Sequence, residues 1–239
     1  MNSLPDITQA LSATRYPGRG IVCARDASGG HALLAYFIMG RSANSRNRVF
    51  VPHGDDIEAK AFDESRIEDP RLILYFPVRT LPGGATIVTN GEQTDTIADF
   101  LLRGGTFEEA LRTRTFEPDA PNFTPRISAL VRAKDGKMAF QMSILKTCDG
   151  GKTVLRAFFD QPETLPGTGR FLHTYAGDGS PLPSFAGEPE PVAVDGSDFA
   201  AFASSLWDAL DAENRISLWV RRIRLSDGAA EDRLFNKNA

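Results

Sequence analysis

Short apolar runs of strand length, broken by Gly, Pro or Asp, fill the first part of the chain. Residues 20–25, 32–39, 48–51, 71–78 and 85–89 read as strands. The period then changes. Ile97, Ala98, Leu101 and Leu102 recur at helical spacing within residues 94–103, and Gly104-Gly105 stops the run. Thr106-Phe107-Glu108-Glu109 is a capping-box pattern that opens a second helix to about Arg114. Strand spacing returns over 126–133, 137–147 and 153–159, divided by the hairpin signals Asp135-Gly136 and Asp149-Gly150-Gly151. Residues 160–196 are rich enough in Pro and Gly to be mistaken for a linker. Ser197 then caps a third helix to about Ala212, with Phe199, Phe202, Leu206 and Leu210 near one face, and a strand over 216–225 ends the pattern.

Strands joined mostly as hairpins, with helices inserted as a block and again near the C-terminus, predict an α+β fold of antiparallel sheets with helices outside. A doubly wound parallel sheet would need regular strand–helix alternation, which this chain lacks. There is no internal repeat. Residues 1–239 read as one domain, long enough to bury a substantial core.

Composition narrows the chemistry. The two cysteines, Cys23 and Cys148, do not make a disulfide framework, and the three histidines, His31, His53 and His173, are scattered, so no metal site is predicted. The N-terminus lacks a basic start followed by an apolar run, and no later segment is long and apolar enough to span a bilayer. The expectation is a cytoplasmic protein with no membrane partner.

Net charge is −4, but it is unevenly placed. Residues 15–53 carry six arginines against Asp26 alone, and residues 54–69 carry seven acids against Lys60 and Arg66. The positive charge centres on Gly40-Arg41-Ser42-Ala43-Asn44-Ser45-Arg46-Asn47-Arg48, which has three arginines, short polar donors and no acid. Guanidinium forks match phosphate or carboxylate oxygens, so the segment is a candidate cradle for an anionic small molecule, set against the reading of a solvated turn with salt bridges. Nucleic-acid binding is disfavoured, because the balance is acidic and no extended lysine-rich surface interleaved with aromatics is present.

Other polar clusters are Tyr16-Pro17-Gly18-Arg19-Gly20, residues 89–95, residues 116–126 and residues 167–189. Asn90 and free N–H groups at the strand-to-helix turn can face a substrate, or the turn is structural with Thr94 as its cap. Glu117, beside Pro118, is a general base if partly buried; from the residues alone, an exposed loop acid paired with Arg126 is the preferred reading. Tyr75 reads as a strand aromatic whose hydroxyl finds a partner at the sheet edge. Neither a Gly-x-Ser-x-Gly elbow nor a phosphate-loop fingerprint occurs, and Asn2 offers no N-terminal nucleophile.

Taken in order, Tyr16-Pro-Gly-Arg-Gly, Gly40-Arg-Ser-x-Asn-Ser-Arg-Asn-Arg, Thr89-Asn-Gly-x-Gln-Thr-Asp and Asn122-x-Thr-Pro-Arg-Ile resemble the archaeal-type IMP cyclohydrolase family and its bacterial relatives. Gly169-Arg170-Phe171 and Thr174-Tyr175 extend the resemblance. It implies a four-layer α-β-β-α sandwich like that of N-terminal-nucleophile hydrolases, without self-processing. It also implies ring closure of formylated aminoimidazole carboxamide ribonucleotide to inosine monophosphate, the last step of purine synthesis, with no cofactor. By resemblance Arg46 and Tyr75 lie beside the reacting groups and Glu117 shuttles protons, with Asp119 as a rival carboxylate. Arg41, Ser42, Asn44 and Arg48 then grip the ribose phosphate or shape the pocket, and Arg19, Asn90, Thr94, Asp95 and Arg126 complete the substrate-binding set. The implied partner is a purine ribonucleotide, and a homo-oligomer is compatible with the sequence. A purine-nucleotide sensor module and an amidohydrolase remain as alternatives.

Overall fold

The structure is a computed structural model that describes residues 3–67 and 74–238. In chain order its elements are α1 (Ile7–Ser12), β1 (Arg19–Arg25), β2 (His31–Met39), α2 (Ala43–Arg46), β3 (Val49–His53), β4 (Asp56–Lys60), β5 (Tyr75–Thr80), β6 (Thr86–Thr89), α3 (Gln93–Leu102) and α4 (Phe107–Arg112). They continue with β7 (Arg126–Lys134), β8 (Lys137–Lys146), β9 (Leu155–Gln161), β10 (Thr168–His173), β11 (Glu190–Ala193), α5 (Phe199–Ala209), β12 (Arg215–Arg224) and β13 (Ala230–Asn236). One sheet has the order β11-β10-β1-β2-β12-β13 and the other β3-β4-β5-β6-β7-β8-β9. Every strand pairing within them is antiparallel. The chain is thus α+β, built of hairpins.

Side-chain alternation shows how the layers stack. In β2, Leu34, Tyr36 and Ile38 join the core between the two sheets, where they meet Val88, Ile127 and Met142 of the other sheet. Their neighbours Leu33, Ala35, Phe37 and Met39 face the opposite way, onto Ile7 and Leu11 of α1 and Phe202 and Leu206 of α5. A strand covered on both faces reads as a continuous apolar run, which is why β2 stands out in the sequence. On the far face of the second sheet, Ile87 and Leu130 pack against Ile97, Phe107 and Leu111 of α3 and α4. The layers therefore run helices, sheet, sheet, helices.

Several expected elements take a different form. The strand over 71–78 lies partly outside the described residues; its described part is β5. Helix α3 starts at Gln93, and its N-cap Glu92 makes no side-chain cap bond, so Thr94 is not the cap. Asp198, not Ser197, caps α5 by accepting from the Ala201 N–H at 3.0 Å, and the helix ends at Ala209 because Leu210 is already extended. The Pro- and Gly-rich residues 160–196 contain β10 and β11, both paired in the first sheet, so this stretch is not a linker. Short α1, α2, the acid-rich β4 and the charged edge strand β13 were not expected, although Ile7, Ala10 and Leu11 of α1 stand at helical spacing and Ile57 and Ala59 of β4 at strand spacing. The Asp135-Gly136 turn is as expected, with φ of 54° and 75° at its two residues. No helix among the described residues is long and apolar enough to cross a membrane.

Candidate active site

At one end of the two sheets, a cavity of about 230 Å³ opens between the start of β1, the α2 turn, the loop before β7 and the segment after β10. Its walls include Arg19, Arg48, Glu117, Asn122, Thr124 and Tyr175, with Tyr16, Arg41, Ser42, Asn44, Ser45, Asp119 and Leu182 completing them. Backbone geometry brings the first wall in. Gly18 has φ of +82°, and a Cβ there would lie 2.3 Å from Thr174 Oγ1 and 2.4 Å from the Tyr175 ring. Only glycine lets the chain turn so closely under Tyr175 and deliver Arg19 inward.

The arginine segment is sorted by one helical turn. Ser42 caps α2 in a capping box with Ser45, and Asn47 ends it while exchanging two 2.8 Å hydrogen bonds with the Asp63 backbone. Arg46, on the outer side of this turn, is exposed and its Nε donates to Gly40 O at 3.1 Å. Arg48, two residues later, points inward and is 3% exposed. The sequence reading that set Arg46 beside the reacting groups thus meets a different geometry: Arg48 occupies the cavity wall and Arg46 does not. Arg41 stands at the mouth, where its guanidinium lies over the Tyr16 ring at 4.9 Å and donates to Gly179 O at 3.0 Å.

Arg19 and Arg48 are the unusual feature. Both are buried, and Arg19 Nε, Arg48 Nε and Arg48 Nη1 have no hydrogen-bond partner among the described residues, as is true of Asn44 Oδ1. Buried guanidinium N–H groups are rarely left unpaired, which makes Arg19 and Arg48 the unusual members of the cavity wall. Glu117 is the buried carboxylate among them, 5% exposed. Burial pushes its carboxyl above the ordinary glutamate value, against the opposing pull of Arg19 and Arg126. Burial alone would lower Arg19, but Glu117 and the neighbouring tyrosines outweigh it and hold the guanidinium charged. Arg48 falls below its ordinary value, through burial first and then the like charge of Arg19. A carboxyl raised in this way can both take and give a proton.

A polar chain behind the cavity holds Glu117 in place. Asn90 Nδ2 donates to Glu117 Oε1 at 3.4 Å and to Pro125 O at 2.9 Å, while Asn90 Oδ1 accepts from the Ile127 N–H and from Gln93 Nε2. Gln93 Oε1 in turn accepts from Arg126, whose guanidinium is clasped by both oxygens of Glu92. The expected exposed pair of Glu117 with Arg126 is therefore replaced by Arg126 with Glu92, and Glu117 is left free to face the cavity. Asp119 is occupied elsewhere. It accepts the Thr124 N–H at 2.7 Å and the Thr124 hydroxyl, closing the loop that carries Glu117. The same Thr124 hydroxyl meets Tyr175 Oη at 2.5 Å.

Of the sequence candidates, Arg19, Arg41, Ser42, Asn44, Arg48 and Glu117 line one cavity. Tyr75 is not in the wall: it is 6% exposed in the core between the sheets, with its hydroxyl 2.9 Å from that of Tyr36 rather than at a sheet edge. Asn90 and Arg126 belong to the supporting chain. Thr94 fixes the turn, bonding Thr89 Oγ1 and Gly91 O, and Asp95 is on the outside, paired with Arg79 at 2.5 Å. Tyr16, Thr124 and Tyr175 were part of polar motifs but were assigned no role; only the fold shows that residues so far apart share a wall. Among the described residues, no group of three or more His, Cys, Asp or Glu is placed to hold a metal ion.

Fold and cavity together define a two-sheet α+β protein with a buried carboxylate–guanidinium site. A family model described as IMP cyclohydrolase-like protein matches residues 16–228, and the chain belongs to that family. The match takes in the whole cavity wall, from Tyr16 to Leu182.

Proposed function

We propose that the protein closes the ring of formylated aminoimidazole carboxamide ribonucleotide to give inosine monophosphate and water, on a scaffold related to the N-terminal-nucleophile hydrolases. The observation that carries this reading is the raised, buried Glu117 set among guanidinium N–H groups that lack partners. Both reacting groups belong to one molecule, so the protein has to hold a reactive conformer, stabilise an oxyanion and move protons.

In the first step the carboxamide nitrogen attacks the formyl carbon, the C–N bond forms and the formyl oxygen takes the negative charge. Arg48 and Arg19 present N–H donors to that oxygen. Glu117 accepts the proton released by the attacking nitrogen and passes it to the oxygen, giving a carbinol. In the second step the C–O bond breaks; the hydroxyl leaves with the proton of the former formamido nitrogen as water, and the C=N bond of the purine forms. Asn44, Ser42 and Arg41, nearer the mouth, suit the ribose phosphate.

The test is an ultraviolet assay of the purified protein with the formylated ribonucleotide, without added metal or cofactor. Growth of the inosine monophosphate spectrum is the expected result. Product binding without turnover would move the protein to the nucleotide-sensor reading, and neither binding nor turnover would overturn the proposal.

A further inference from the structure

Each sheet ends in two edge strands, and the chain treats the four edges differently. β3 is closed by the Asn236 side chain: the Phe50 N–H donates to Asn236 Oδ1 at 2.9 Å, and Asn236 Nδ2 donates to Phe50 O at 3.0 Å. β11 is short, contains Pro191 and is covered by the N-terminal segment, with the Ala193 N–H donating to Pro5 O at 2.8 Å. β13 carries Glu231, Asp232 and Arg233 in succession. Coverage, prolines and charges are the usual ways of blunting an edge. β9 is the exception. Its seven residues, Leu155-Arg156-Ala157-Phe158-Phe159-Asp160-Gln161, pair with β8 on one side and include neither Pro nor Lys. Among the described residues, no strand or bridge pairs with its outer side.

Alternation along β9 fixes what can pair there. Ala157 and Phe159 pack against the core between the sheets and Phe158 against the helix side, so Arg156 and Asp160 share the face of Phe158. A second copy added to this edge about a two-fold axis keeps every residue on its own face only when positions of like parity meet. Of those registers, the one centred on Phe158 pairs the whole strand. It sets Arg156 opposite the partner's Asp160, Asp160 opposite the partner's Arg156, and Phe158 beside the partner's Phe158. The two charges of the strand thus meet their complements at both ends. Within the chain Arg156 reaches a carbonyl, Arg114 O, through Nε at 3.1 Å and Nη2 at 2.7 Å, and Asp160 is exposed; among the described residues neither is in an ion pair. We propose that β9 is a homodimerisation edge, to which a second copy of this chain adds antiparallel, joining two seven-stranded sheets into one with the Arg156–Asp160 pairs setting the register. A strand of another protein would match only by carrying Asp and Arg at the same spacing in reverse order, which β9 itself does by symmetry. The proposal does not depend on the ring-closure reading.

Sedimentation velocity on the full chain from about 1 to 100 μM, a range that brackets micromolar affinity, should show a concentration-dependent dimer. Asp160→Arg places two guanidinium groups opposite each other at both ends of the junction, and Arg156→Asp does the same with two carboxylates. Each alone should raise the dimer Kd about tenfold or more. An equimolar mixture of the two variants restores opposite charges at both ends, so it should form a heterodimer with Kd within about threefold of wild type. A wild type that stays monomeric throughout the range would overturn the proposal and leave the edge to another occupant. A dimer indifferent to both single variants would place the interface elsewhere, and a mixture no tighter than the separate variants would refute the register. Asp160 is exposed, so Asp160→Arg leaves the core untouched. If Arg156→Asp loses the Arg114 contact and does not fold, Asp160→Arg mixed with wild type decides the register. One end of that heterodimer keeps its opposite charges, so its Kd should fall between those of the two homodimers, and a value outside that interval would overturn the assignment.

Discussion

Replacing Glu117 by Gln keeps the side-chain volume and an oxygen for Asn90, but removes the buried carboxyl that shares the cavity wall with Arg19 and Arg48. In the proposed reaction Glu117 takes the proton from nitrogen and returns it to oxygen, while Asp119 in the same wall is bonded to Thr124. General acid–base catalysis contributes roughly 10²- to 10⁴-fold, so turnover should fall by that factor, about 2.7 to 5.5 kcal/mol of transition-state stabilisation. Binding should move the other way. The cavity becomes more positive by one charge, so affinity for an anionic nucleotide should hold or tighten. Steady-state kinetics with product-binding calorimetry separates the two effects, and the pH profile supplies a third. The acid limb of kcat/KM in the wild type should have its midpoint above 4.5, the ordinary glutamate value, and should vanish in the variant. Stability follows the same titration. Because the folded pKa is raised, Glu117 contributes stability below 4.5 that is lost as pH rises through the raised value, so the variant's stability should vary less over that range. Asp119→Asn is the control: Asp119 ties the Thr124 loop, so its effect on turnover should be small beside that of Glu117→Gln. Turnover of Glu117→Gln within threefold of wild type would refute the reasoning, and a large loss confined to Asp119→Asn would transfer the role to that residue.

Arg48→Lys should reduce turnover about ten- to a thousandfold, because an ammonium cannot reproduce a planar fork, whereas exposed Arg46→Lys should stay near wild type; equal effects in the same assay would return Arg46 to the site. Gly18→Ala forces a side chain into a +82° φ and into contact with Thr174 and Tyr175, so thermal or urea unfolding should show a loss of at least about 1–3 kcal/mol from overpacking. Asp26→Ala strips the acceptor from the Ser28 hydroxyl and from the His31 N–H and Nδ1, and should cost about 1–3 kcal/mol. Burial pushes Asp26 up, but the Ser28 and His31 hydrogen bonds outweigh it and hold it below 3.8. Its stabilisation should be present above that value and shrink as pH falls through the lowered one, so melts at neutral and acid pH that show a constant gap between wild type and variant would contradict it.

How much was legible follows from what kind of packing each residue has. β2 announces itself because both of its faces are covered, and α4 because its capping box is local. By contrast, β10 hides behind Gly169, where a Cβ would come within 2.5 Å of Ala24 Cβ: the glycine marks close approach of two backbones, not a loop. The charge pattern pointed to the stretch that supplies Arg19, Arg41 and Arg48 to the cavity wall, since six arginines in one stretch are visible without a fold. It could not choose between Arg46 and Arg48. That choice depends on a four-residue helical turn, pinned at Asn47 by a backbone segment sixteen residues away. Glu117 was singled out as a proton shuttle only through the family resemblance. Its own neighbours favoured an exposed pair with Arg126, and its burial arises from the loop closed by Asp119 and Thr124 together with Asn90 from another strand end.

Arg19 opens β1 in one sheet, while Arg48 leads into β3 and Glu117 precedes β7 in the other. Under the proposed function, a nucleotide gripped by all three would act as a clamp between the halves of the sandwich. Neither half presents the full grip before the sheets have docked, so ligand affinity becomes a gauge of that docking. At a free concentration one hundred times the dissociation constant, such a clamp adds about 2.7 kcal/mol against unfolding. Hydrogen exchange should register this gain in the central strands β1, β2 and β7 together, and not in the walls of the cavity alone.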